Sequence, residues 1–139
     1  MNKSKLLDLE TAGHVAADFF SALAIRELDA VCKCFAEQLD WYIPGNEMVA
    51  PWLGHRRTRR EVREFFDLLW ANTEALSGRI DHLAVDGNTV ITSGYFETRM
   101  LKTDKIFKSL FFTEITVSKG KIIKYRLLED SFGLVLALR

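Results

Sequence analysis

VDGNTVITSGYFETRMLKTDKIFKSLFFTEITVSKGKIIKYRLLED, residues 85–130, is the stretch that decides the fold class. Runs rich in β-branched and aromatic residues recur through it, cut by turn signals at Asp86-Gly87-Asn88, Lys102 to Lys105 and Ser118-Lys119-Gly120. Gly and Asn adopt the positive φ that tight hairpins require, so each cut reads as a reversal between neighbouring strands. With the apolar run before Asp86, the pattern predicts a four-stranded meander.

The chain before the meander has a different period. Val15, Phe19, Phe20 and Leu23 fall at helical spacing within residues 11–25, with Ala12, Ala16 and Ala24 as small neighbours. A shorter helical pattern follows in LDAVCKCFAE, with Leu28, Val31, Cys32 and Phe35 on one side. LDWYIP then changes to strand-forming residues and stops at Pro44. From Thr58 to Leu76 a second strong helical stripe carries Val62, Phe65, Phe66, Leu69, Trp70 and Thr73. Helices first and strands afterwards imply an α+β fold, with N-terminal helices covering one face of a bent, mainly antiparallel sheet. No linker or repeat divides the chain, so residues 1–139 read as a single domain.

The basic run in PWLGHRRTRREVREFF, residues 51–66, invites a nucleic-acid reading. Nineteen basic residues balance nineteen acidic ones, so no overall field draws a polyanion. Thr58 followed by Glu61 forms a capping box, which makes the run the entry to a helix. Its arginines read as a solvated face able to pair with Glu61, Glu64 and Asp67, and Arg56 is kept as a contact for an acidic ligand. Val62, Phe65 and Phe66 stand where base-reading side chains would be needed. A nucleic-acid partner is therefore not expected.

Cys32 and Cys34 fall on nearly opposite sides of a helix, which excludes a disulfide or zinc pair between them. His14, His55 and His82 show no ligand spacing, so no metal is expected. The N-terminal MNKSKLLDLE lacks a signal-peptide core and no apolar run reaches bilayer length, giving a cytoplasmic expectation with no membrane partner. Glycine-rich phosphate loops and nucleophile elbows are likewise missing from the sequence, which points to cofactor-free chemistry.

The order of elements, with DWYIPG, the WLGHRRTRREVREFF helix entry, the VDGNTVI hairpin and GKIIKYRLLED, resembles the SnoaL-like group of the nuclear transport factor 2-like superfamily, also called the ketosteroid-isomerase-like fold. The resemblance implies a cone-shaped α+β barrel of cystatin-like type enclosing an apolar pocket. It implies isomerase, polyketide cyclase or hydrolase acid/base chemistry on a hydrophobic small molecule. A non-catalytic ligand-binding or dimerisation module is the alternative use of the same fold.

By that resemblance Asp130 is the first candidate acid or base; its alternative is to cap the helical turn of SFGLVLAL. Glu97 and Arg99, two apart on a strand, share a face and either tune the site or form an exposed ion pair. Tyr42, on one face of DWYIP with Asp40, is expected by the family pattern to look inward and orient a substrate, or else to pack as a core aromatic. Trp52 is expected as a pocket lid or wall, with Asp40, Phe20, Phe65, Phe111 and His82 lining the interior. Closure of the interior by Phe20, Phe65, Phe66 and Phe111, or an outward-facing Asp130, would decide for the binding module over an enzyme built on Asp130. Phe112, Tyr125 and Leu127 are expected on the outer sheet face, where they would support a homodimer.

Overall fold

A computed structural model describes residues 3–139, with side chains from residue 11 onward. The elements are α1 (Lys3–Ala24), α2 (Leu28–Lys33), β1 (Phe35–Ile43), β2 (Gly54–Thr58), α3 (Arg59–Asn72), β3 (Thr73–Asp86), β4 (Thr89–Met100), β5 (Ile106–Ser118), β6 (Lys121–Leu128) and α4 (Ser131–Ala137). The strands form one curved, open sheet in the order β2-β1-β6-β5-β4-β3, with β2 and β3 at its edges. Among the described residues, β1–β6 is the one parallel pair. The four C-terminal strands are the meander that residues 85–130 predict. Lys119 and Gly120 both adopt positive φ, 52° and 76°, and make the tight β5–β6 turn.

The basic run is strand as well as helix entry. Gly54–Thr58 pairs antiparallel with β1, Tyr42 opposite His55 and Trp41 opposite Arg56, where the sequence reading has a loop. Thr58 then caps α3 as its spacing predicts, its Oγ1 accepting from the Glu61 amide at 3.1 Å. The arginines tie neighbouring segments together: Arg63 reaches Asp29 at 2.6 Å, Arg59 donates to the Phe35 carbonyl at 3.0 Å, and Arg60 lies 3.5 Å from Glu64. Thr58→Ala should cost about 1 kcal/mol and lower the melting temperature by about 3 °C, measured by thermal denaturation.

Helix α3 ends at Asn72, earlier than its apolar stripe suggests, because Thr73 turns to extended backbone at φ −141°. Arg26 fixes that corner. Its guanidinium donates to the Thr73 carbonyl at 2.8 Å and to Thr73 Oγ1 at 3.0 Å, and lies 5.6 Å from the Trp70 ring centre. Arg26 itself takes φ 50° just after α1, where Glu27 N bonds Ala22 O and Arg26 N bonds Leu23 O, the paired bonds of a Schellman ending.

Burial identifies the inner face of the sheet. Along β5, Phe107, Ser109, Phe111, Thr113, Ile115 and Val117 are buried, while Lys108, Leu110 and Phe112 are exposed. Trp41 and Ile43 are buried, so Asp40 and Tyr42 point outward. This reverses the expected orientation of both Asp40 and Tyr42, and the physical reason is apolarity: an outward Trp41 would leave the core without its central ring. Tyr125 and Leu127 turn inward instead of outward, and only Phe112 keeps the outer position expected of the three. The cause is a bulge. Val117 pairs with Ile122 and Thr116 with Lys124, leaving Ile123 extra and inverting the alternation for the rest of β6.

The core is an aromatic cluster. Trp41 stacks on Tyr125 with ring centres 4.2 Å apart and meets Phe65 at 4.7 Å, Phe35 at 5.7 Å and Phe66 at 5.9 Å. Phe19 of α1 closes it against Phe35 and Tyr125.

Candidate functional site

Cross-strand registers lay the inner wall out in rows. Arg56, Trp41, Tyr125 and Ile115 form one row across β2, β1, β6 and β5. The next holds Leu127, Thr113, Thr92 and Leu83 across β6, β5, β4 and β3. Glu129 follows Tyr125 and Leu127 at the spacing of two that repeats a strand face. The residue is half-buried, and its carboxyl is largely shielded from water. Burial, with the Asp130 charge adding to it, pushes its pKa up to about 7. The nearby Tyr125 hydroxyl is pushed up in turn by burial and by the Glu129 charge.

Among the described residues, four buried polar atoms have no hydrogen-bond partner: Trp41 Nε1, Arg56 Nε, Thr92 Oγ1 and Thr113 Oγ1. Buried polar atoms are usually paired, so a set of four on one wall marks unusual polarity in an apolar interior. Arg56 is thus turned into the protein: its Nη1 donates to the Glu61 carbonyl at 2.7 Å and its guanidinium lies 5.6 Å from the Phe65 ring centre.

Asp130 takes the capping role that its sequence left open. The side chain is exposed, and Oδ1 accepts from the Gly133 amide at 2.9 Å to start α4, while the Asp130 amide donates to Ser109 Oγ at 2.9 Å. The carboxylate sits so close to the Gly133 Cα that any side chain there would collide with it. Glu129, one position earlier, is the shielded carboxylate that the sequence reading missed: the resemblance pointed to Asp130, while the bulge at Ile123 puts Glu129 in step with the inward Tyr125 and Leu127.

Glu97 and Arg99 share the outer face of β4 but do not pair with each other. Glu97 accepts from the Tyr95 hydroxyl at 2.7 Å and lies 3.9 Å from Lys108, while Arg99 reaches Asp104 at 3.1 Å and Glu74 at 3.9 Å. Tyr42 stacks on His55 at 4.1 Å on the outer face, beside the Asp40–Arg126 pair at 2.8 Å. His82 stands opposite Ser93 on the same outer face and is exposed, so it does not line the interior. Trp52, Phe65 and Phe111 are buried in the core cluster, and Phe20 packs partly buried against it. Phe111 covers Gly94 on the neighbouring strand.

An open groove of about 390 Å³ runs along Leu110, Phe112 and Leu128 on the outer side and ends against Glu129 and Asp130. A second, also about 390 Å³, lies between α1, α2 and the β5–β6 turn beside Asp18, Lys33, Cys34 and Lys121. Among the described residues, no group of three side chains is placed to hold a metal ion, and no helix is long and apolar enough to cross a membrane.

No curated protein matches the sequence. A nuclear transport factor 2-like protein from Burkholderia xenovorans LB400 superposes with a TM-score of 0.83 at 22% identity, over 94% of this chain and 98% of that one. A nuclear transport factor 2-like protein of unknown function from Burkholderia pseudomallei K96243 gives 0.84 at 14% identity, over 92% and 97%. An LEH-like epoxide hydrolase from M. tuberculosis gives 0.74 at 16% identity, over 94% and 90%. At these identities the likeness shows the fold. The family described as the SnoaL-like domain matches residues 16–125. With its curved sheet, covering helices and this match over most of its length, the chain belongs to the SnoaL-like domain family.

Proposed function

We propose that the protein is a cofactor-free acid/base enzyme acting on a hydrophobic small molecule, with Glu129 as the group that moves the proton. The observation that carries this reading is the Glu129 carboxyl, shielded from water just past the end of β6 and near enough to Tyr125 for each to feel the other's surroundings. A carboxyl with a pKa near neutrality is populated in both forms at physiological pH, as proton transfer in both directions requires. The carboxylate would take a proton from a carbon beside a carbonyl, or from a water adding to an electrophilic carbon, and return it to the product. Asp130 keeps its cap in this scheme, and Tyr42, Glu97 and Arg99, all facing outward, take no part.

Turnover of a β,γ-unsaturated ketone and of a hydrophobic epoxide tests the reading. Glu129→Gln should lose activity by a factor of about 10² to 10⁴. Asp130→Asn should keep it, because asparagine also caps helices well. Activity retained in Glu129→Gln would refute the role.

The outward Asp130 favours a second reading, a binding or association module, which stands if the wild-type chain binds such molecules without turning them over. Under either reading we propose that the exposed Leu110, Phe112 and Leu128 join two copies across the outer sheet face. Phe112→Glu should convert a dimer to a monomer in sedimentation at micromolar concentration. A wild-type monomer would exclude the pairing.

A further inference from the structure

We infer that the Thr92 and Thr113 hydroxyls together form a subsite for one neutral oxygen, of the ketone or epoxide kind, on an otherwise apolar ligand. The inference rests on the proposed small-molecule role and adds the chemistry of the molecule. Thr92 and Thr113 are direct cross-strand partners on the inner faces of β4 and β5, and both hydroxyls are buried without a partner.

The same ladder contains its own comparison. Thr89 and Thr116 are also direct partners, on the outer face, and their hydroxyls bond each other at 3.0 Å. Ser109, on the inner face of β5, is satisfied as well, donating to the Leu110 carbonyl at 2.6 Å and accepting from the Asp130 amide at 2.9 Å. The inner threonine pair alone in this group leaves its hydroxyls unused. Leu127 and Leu83 flank the pair in its row, so valine would fill the same shape without the penalty of an unpaired hydroxyl. Two such groups side by side on an apolar wall are arranged to hold a polar atom that arrives from outside. A neutral oxygen suits two uncharged hydroxyls better than a carboxylate, whose charge they could not balance on an apolar wall, and in the register Glu129, just past β6, lies nearer the pair than Arg56 at the β2 edge.

Binding of 1-indanone, indane-1-carboxylate and indane, followed by two-dimensional NMR, tests the inference. The wild-type chain should bind the ketone about tenfold more tightly than indane, with the carboxylate weakest. Thr92→Val and Thr113→Val should each bring the ketone down to the level of indane, leave indane unchanged and not lower the melting temperature. Thr113→Ser, which keeps a hydroxyl, should retain ketone binding. Unchanged ketone affinity in both valine variants overturns the inference and leaves the Glu129 role standing. A lower melting temperature in those variants, the sign that internal water already satisfies the hydroxyls, overturns it too. Failure of all three compounds to bind the wild-type chain overturns both the subsite and the small-molecule reading.

Discussion

Glu129→Gln is expected to raise the melting temperature at pH 8 while removing the activity. The sign follows from linkage. The folded-state pKa is raised from 4.5 to about 7, so between those values the folded protein holds a proton that the unfolded chain has released. Stability therefore falls as pH rises through this window, is highest below it, and levels off above it. Full development of the shift corresponds to about 3 kcal/mol. Glutamine has nearly the same shape and never ionises, so the variant should lack this decline and exceed the wild type by about that amount at pH 8. Thermal melts of both proteins from pH 4 to 8 provide the check. Parallel curves would show that the carboxyl is not buried as described. Stabilisation joined to loss of turnover would be the signature of a group held at a stability cost for its chemistry.

Trp41→Ala is expected to remove about 3–5 kcal/mol, a large part of the stability of a domain this size. Trp41 is fully buried and its ring touches Phe35, Phe65, Phe66 and Tyr125, which come from β1, α3 and β6. No single neighbour can relax into the space without leaving another contact. Its indole N–H has no partner, so Trp41→Phe loses packing but no hydrogen bond and should cost much less. Urea denaturation followed by circular dichroism would separate the two. Equal stability of the alanine and phenylalanine variants would contradict the cluster's role.

The sequence carried the architecture well because its signals are local. The turn residues of the meander, the stripe of α3 and the Thr58 cap each depend on a few adjacent positions, and all appear in the structure. The facing of β6 was not legible. Strict alternation from the inward Ile122 makes Lys124, Arg126, Leu128 and Asp130 the inner set. One extra residue at Ile123 makes it Tyr125, Leu127 and Glu129. Nothing in KIIKY marks the bulge, since either isoleucine can be the unpaired one. The available clue was aggregate: the bulged reading buries a tyrosine and a leucine and exposes a lysine and an arginine. Asp130 was chosen by the family resemblance, and the same slip puts Glu129, not Asp130, in step with the inward residues. In DWYIP the inward pair was readable from Trp41 and Ile43, whose apolarity outweighs the family pattern that pointed to Tyr42.

The parallel union of β1 with β6 has a consequence for how the chain is made. Arg126 bonds Asp40 across 86 residues of sequence, and Trp41 meets its stacking partner only when Tyr125 arrives. Contacts of such separation are closed late and slow folding. A growing chain that stops before β6 can form the α3 helix and the β3–β4 hairpin, but β1 then has an open backbone edge and the aromatic cluster lacks one wall. Completion of the sheet therefore awaits synthesis of the last strand, and until then the nascent protein carries an exposed strand edge that other chains can pair with.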